Sequence, residues 1–286
     1  MSLNPSIICE PLNGFFGVSV GGLATLNLNL GRRYHKLVLT GDGTATADAP
    51  YGINEFEYIK LKINGKEFYN LTPAEIHALN KLRGCGNYQN PKDLVIYFEQ
   101  PWAETPALED ALCIGTGPGV QLFTIEIKIK AGLAKAPEIS GYQFYDLARQ
   151  TVTENGTTYE TALPLGEFKQ ILTYTKEFSA QAGGTHCYDV PVRGLLQALH
   201  FDTDKISEVE VFLGTTSIYH VKNKEFSRIN SLHDMTDDGK WTHVMLNQGR
   251  IKSGIVNAES TNFKIRVVAE QAISPKCLVE CVVSNL

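Results

Sequence analysis

The chain has 286 residues, 43% of them hydrophobic and 20% charged, with a formal net charge of −5. That length buries one large core or two of ordinary size, and the composition excludes a disordered or membrane-embedded chain. The acidic excess, 31 Asp and Glu against 26 Lys and Arg, weighs against a nucleic-acid binder, which needs a basic surface to displace phosphate counterions.

The opening MSLNPSIICEPLNGFF lacks the basic start and continuous apolar run of an export signal. It has no regular period either, so residues 1–15 read as an N-terminal arm that orders on assembly, with a strand added to the first sandwich as the alternative. Cys9, Cys85, Cys113, Cys187, Cys277 and Cys281 are accordingly expected as reduced thiols of a cytoplasmic product. Zinc has no Cys-x-x-Cys pair to support it.

From Phe16 the pattern turns to period two. LNLNL sets Leu26, Leu28 and Leu30 on one face, and KLVLT, YIKLKI and LVIYF follow as short runs between Gly, Asn and Asp. Thr72-Pro73-Ala74-Glu75 is a capping box with Pro at the first helical position, and Gly84 ends the helix it opens. In FTIEIKI, Phe123, Ile125, Ile127 and Ile129 alternate with polar residues. One wet and one buried face per strand predicts antiparallel sheets stacked as a sandwich over residues 16–135. Residues 136–167, with Pro137, Gly141, Gly156 and Pro164, read as a structured connector.

The second half, 168–286, repeats the first in order. FSAQAGGTHCYDVPVRGLLQALHF answers FGVSVGGLATLNLNLGRRYHKLVL, sharing Phe16/Phe178, Gly21/Gly183, Gly22/Gly184 and Leu37/Leu199. INEFEYI pairs with ISEVEVF, AEIHALNKL with KEFSRINSL (Asn80/Asn230, Leu82/Leu232), DLVIYFEQ with WTHVMLNQ and FTIEIKI with FKIRVVA. Blocks in constant order, with the first copy longer at each interval, are the mark of a duplicated unit. Asn223 is the expected cap of a second helix. The expected fold is all-β: two tandem β-sandwiches, each with a short inserted helix.

Catalytic and ligand chemistry is sparse in the pattern. A two-domain cupin needs a His-x-His motif, and none occurs among the seven histidines; His200 and His243 read as partly buried strand residues. Asp202, Asp204, Asp237 and Asp238 offer oxygen ligands for a structural calcium, although Asp-rich turns also simply connect strands. No other cofactor is expected. Gly115-Thr116-Gly117-Pro118-Gly119 precedes a strand rather than a helix, so it is a loop and not a phosphate cradle. Trp102 reads as a sugar-stacking or interface residue or as a loop residue folded back, and Phe15 and Phe16 are further interface candidates. The rivals to a non-enzymatic reading are a glycan hydrolase or amidase on paired jelly rolls and a carbohydrate-binding protein.

LNLGRRYHKLVLTGDG and EYIKLKINGKEFYNLTPAEIHALN in the first half, with VPVRGLLQALHFDTDKISEVEVFLGTTSIYHV and FKIRVVAE in the second, carry a resemblance. The chain resembles the corticovirus-type major capsid proteins of the adenovirus-hexon lineage, from tailless icosahedral phages with an internal membrane. The resemblance implies an all-β fold of two tandem eight-stranded jelly-roll sandwiches, and a structural coat protein whose homotrimers form pseudo-hexagonal capsomers. It also implies contacts with neighbouring capsomers, a penton protein, minor membrane-associated capsid proteins and the internal membrane, with no direct contact with nucleic acid. Synthesis and assembly in the host cytoplasm, and a final place in the virion capsid, follow from it. The 41–52 insertion, the 101–119 loop and the terminal CLVECVVSNL depart from the pattern.

Overall fold

The computed structural model describes residues 7–41, 46, 49–85, 91–103, 105–177, 185–237, 239–246, 256–257 and 263–284. The first sandwich is built from β1 (Ile8–Pro11), β2 (Leu23–Asn27), β3 (Arg33–Thr40), β4 (Phe56–Ile63), β5 (Lys66–Leu71), helix α1 (Pro73–Leu82) and β6 (Asp93–Tyr97). It continues through the one-turn helix α2 (Pro106–Glu109), the two-residue β7 (Ile114–Gly115), β8 (Phe123–Ile129) and β9 (Ser140–Asp146). Its sheets run β1-β9-β3-β6, with β7 also on β3, and β2-β8-β4-β5. A hairpin of β10 (Arg149–Glu154) and β11 (Thr157–Ala162) follows, turning at Asn155-Gly156, both at positive φ. Such a turn matches the twist of its flanking strands.

The second sandwich repeats the order with β12 (Phe168–Thr175), β13 (Thr185–Asp189), β14 (Leu195–Phe201), β15 (Ile206–Leu213), β16 (Thr216–Val221), α3 (Phe226–Ser231) and β17 (Thr242–Met245). The two-residue β18 (Val256–Asn257), β19 (Phe263–Ala269) and β20 (Lys276–Val283) complete it. Its sheets are β12-β20-β14-β17, with β18 on β14, and β13-β19-β15-β16, strand for strand the same topology. Every pairing is antiparallel, and the eight long strands of each unit form the expected all-β double jelly roll. β8 buries every second residue as its sequence alternates.

Strand register fixes the correspondence between copies. The irregularity between Tyr34 and Lys36 on β3 recurs between Leu196 and Ala198 on β14, and that after Phe56 on β4 recurs after Ile206 on β15. Asn80 and Asn230, fully buried, each donate a side-chain hydrogen bond to the strand after the helix, at Val95 O (2.8 Å) and His243 O (3.2 Å). The shared asparagine therefore ties helix to sheet twice. Phe56, not Ile53, is the counterpart of Ile206, because each sits at the same end of the equivalent ladder. The matches at Phe178, Gly183 and Gly184 lie outside the described residues.

Several expectations shift. β1 pairs with β9 through Ile8–Tyr145 and Pro11–Tyr142, so boundaries at 16 and 135 would cut two strands from the first sheet. The terminal KCLVECVV is β20, the counterpart of β9. Leu30 is 43% exposed, since β2 ends at Asn27 and Gly31 turns the chain at positive φ. Asn223 does not cap α3; it adopts positive φ in the preceding turn, and the N-cap position is Glu225 with no side-chain bond. The α1 capping box forms as expected, with Thr72 Oγ1 accepting from Glu75 N at 3.3 Å and Glu75 Oε2 from Thr72 N at 2.7 Å. Gly117 allows a close chain crossing: a Cβ there would stand 2.4 Å from Leu163 O, and its N–H donates to that oxygen at 2.8 Å.

Candidate assembly surface and the polar seam between sandwiches

The two sandwiches share one continuous apolar core. At their seam the C-terminal end of α1 presses on the sheet that carries β20 and β14. Leu82 packs with Ala198, Met235 and Met245, and Leu82 O accepts from Thr236 N at 2.8 Å. Phe68 of β5 meets Phe168 of β12 edge to face at 5.3 Å between ring centroids. Lys276 of β20 reaches Glu75, the capping glutamate, so the residue that starts α1 also holds the second sandwich.

Beneath Leu82 lies a buried polar cluster. Arg83 forms an ion pair with Glu280, and Lys169 stands 3.9 Å from the other carboxylate oxygen. Burial alone would raise the Glu280 pKa, but Arg83, Lys169 and His200 outweigh it and hold it well below the ordinary range. Lys169 is pushed down to about 8 by burial and by Arg83. His200 and His243 share a 2.9 Å contact between their Nδ1 atoms. His200 Nε2 faces Glu280 at 3.6 Å, and between the two histidines one Nδ1 donates to the other. Burial lowers both imidazole pKa values, His243 well below its usual value.

A pH dependence follows from that pair, faced by Arg83 from α1, Lys169 from β12 and Glu280 from β20. With both pKa values lowered by folding, the unfolded chain binds more protons once pH falls below the ordinary histidine value near 6.5. Stability contributed by the neutral pair is present above that value and lost progressively below it. The urea midpoint should fall between pH 7 and pH 5, less steeply in His243→Gln; equal slopes in both proteins would contradict the assignment.

Trp102 does not project freely. Its half-buried ring lies over the Arg83 guanidinium at 4.4 Å and the Lys169 ammonium at 4.9 Å, covering the cluster from the loop after β6. Phe15 packs against the core, whereas Phe16, bonded through its backbone to Thr25, leaves its ring 75% exposed beside the edge strand β2. The aspartates serve turns: Asp202 accepts from Lys276 N at 2.7 Å, Asp204 pairs with Lys205 at 2.8 Å and Asp237 accepts from Gly239 N at 2.8 Å. Among the described residues they fall in no cluster of three metal-ligating side chains, and Asp238 lies outside those residues.

Sequence reasoning missed the outward counterparts of the seam. Leu232 answers Leu82, yet is 73% exposed at the free end of α3. By register, Tyr142 and Phe144 of β9 answer Leu278 and Glu280 of β20, and Ile7 answers Lys169. On that face of the first sandwich Ile7 and Tyr142 are exposed and Phe144 is half-buried. At Leu82/Leu232 and Leu278/Tyr142 both copies are hydrophobic but only one is covered within the chain, whereas Lys169 and Glu280 of the covered copy answer the apolar Ile7 and Phe144.

Paired jelly rolls with this strand order are the architecture of viral major capsid proteins. The chain resembles the major capsid protein P2 of bacteriophage PM2 at a TM-score of 0.82 and 12% identity, covering 98% of both chains. It also resembles the major capsid protein of Sulfolobus turreted icosahedral virus (TM-score 0.65, 13% identity, 97% and 96% covered). The PBCV-1 capsid is similar at 0.66 and 9% identity, over 99% and 95% of the chains. Residues 9–146 match the viral coat protein P2 N-terminal domain and residues 168–284 its C-terminal domain, so the chain belongs to the viral coat protein P2 family. A comparison with curated protein sequences gives no match. It is a structural subunit of a virion capsid.

Proposed function

We propose that three copies of this chain close head to tail into a pseudo-hexagonal capsomer, and that such capsomers tile an icosahedral shell over an internal membrane. One observation carries this reading: the seam is half used. The α1 end of the first sandwich covers the outer sheet of the second, while the equivalent α3 end, at Leu232, and the equivalent sheet, at Ile7 and Tyr142, remain exposed. A heterologous contact of this kind repeats until it closes. Two units per chain close a six-membered ring with three chains. Phe16, beside the edge of β2, is a further interface position.

The role is structural rather than enzymatic. Assembly in the host cytoplasm, contacts with penton and minor membrane-associated proteins, and separation from the genome by lipid fit a net charge of −5, which leaves no excess for neutralising DNA. The test is mass in solution. The wild-type chain should sediment at three times its 31.6 kDa mass. Leu232→Asp with Tyr142→Asp should sediment as a folded monomer with an unchanged far-ultraviolet spectrum. A monomeric wild type, or a trimer that survives both substitutions, refutes the head-to-tail contact.

A further inference from the structure

Away from the seam, a second polar cluster brings metal-binding atoms together inside the first sandwich. His35, buried on β3, faces Cys113, which follows the 3-10 turn Asp110–Leu112, and Asp110, which begins that turn. One ligand atom from each of the three residues lies within 4.8 Å of the others. His35 Nδ1 stands 3.1 Å from Glu99 Oε2, 3.4 Å from Cys113 Sγ and 3.6 Å from Asp110 Oδ1. A ring nitrogen carries at most one hydrogen and satisfies one such neighbour. A cation set among His35, Cys113 and Asp110 satisfies those three, while Glu99 stands beside the ring outside their group.

The surroundings are arranged for ligation. Asp110 offers Oδ1 because its Oδ2 is held by Arg33 at 3.0 Å, and Glu99, held by Lys36 through Oε1 at 2.9 Å, flanks the ring. On the far side of the ring, His35 Nε2 lies 2.8 Å from Asp146 Oδ2. A carboxylate taking the Nε2 hydrogen leaves the Nδ1 lone pair free for a metal and fixes the ring. An open groove of about 840 Å³ reaches the cluster, lined by Arg33, Asp110 and Cys113 on one side and by Ala148 and Pro164 on the other. Asp110, with 35% of its side chain exposed, stands at the rim as the ion's way in.

We propose that His35 Nδ1, Cys113 Sγ and Asp110 Oδ1 form a structural binding site for a zinc-class divalent cation, with its fourth position open to the groove. Mixed nitrogen, sulfur and oxygen donors suit such an ion. The ion displaces the Cys113 thiol proton. Bound there, it ties Asp110 and Cys113, at the far end of the loop that carries Trp102 over the seam, to β3. Among the described residues the other convergence of ligand types, Glu208, Glu210 and His220, already holds a cation, since Arg266 bonds Glu208 at 2.6 Å and Glu210 at 2.7 Å.

The test titrates the full chain, freed of metal by a chelator, with Zn²⁺ and separately with Co²⁺. One ion per chain, a cobalt–thiolate charge-transfer absorption and a melting temperature rising with zinc are expected. Cys113→Ser should remove the absorption. Asp110→Asn, at the rim and with the thiol intact, should keep it while weakening binding about tenfold. Absence of the thiolate absorption in the wild type would overturn the site. So would binding that both variants retain and His220→Ala removes.

Discussion

Glu280→Gln should lower the unfolding free energy by about 3–5 kcal/mol, read from urea midpoints at pH 7. The substitution keeps shape and removes charge. Arg83 and Lys169, with side chains 6% and 8% exposed, then remain buried between the sandwiches with no anion beside them. Lys169, already held at about 8, would shed its proton more readily, but Arg83 has no such escape. The same physics predicts a rescue. Replacing Arg83, Lys169 and Glu280 together by Leu or Met should recover most of the loss, because an apolar seam of similar volume avoids the desolvation of three charges. A single variant within 1 kcal/mol of wild type would show that the pair is not what holds the seam.

Phe168→Ala should cost about 3–5 kcal/mol as well, by a different route. Phe168 is fully buried and meets Phe68 edge to face, at the point where β12 enters the second sandwich beside β5 of the first. Truncation leaves a ring-sized void that two packed β-sheets cannot close. Since the ring belongs to the shared core, the variant should also separate the sandwiches in denaturant, giving two transitions where the wild type gives one. A small loss with a single transition would mean that the halves are not joined through this contact.

How far the sequence reads depends on which face of a strand is wet. FTIEIKI alternates because one face meets solvent or a thin polar layer, and its strand was legible; LNLNL alternates too, but only its Leu26 and Asn27 belong to β2. KCLVECVV buries all but the first of its residues, so it shows no alternation and could not be placed. Its partner in the first sandwich, SGYQFYD, was hidden inside the expected connector for a related reason: its irregular mix of Gly, Gln and aromatic residues carries no clear period. Asn155-Gly156 was the readable signal for the β10–β11 hairpin. The INEFEYI–ISEVEVF match was misled by shared glutamates that do not occupy equivalent ladder positions.

Sites assembled across long stretches of chain were less legible still. His35, Glu99 and Cys113 converge only because β3 lies beside β6 and β7, a pairing that no local spacing announces. Arg83 and Glu280 meet because a duplicated unit folds against its own copy. Conversely, the aspartates of 202–204 and Asp237 stood out in the sequence for the turns they cap. Trp102 stood out for its type, but the cations beneath it, on α1 and β12, could not be read from its own loop.

The most direct test of the doubled-unit account is a set of particle-averaged electron-microscope images of the purified assembly. It should show a six-cornered tile with three-fold symmetry, each chain supplying two adjacent corners. A two-fold dimer, or a ring whose corner count is not six, would contradict it.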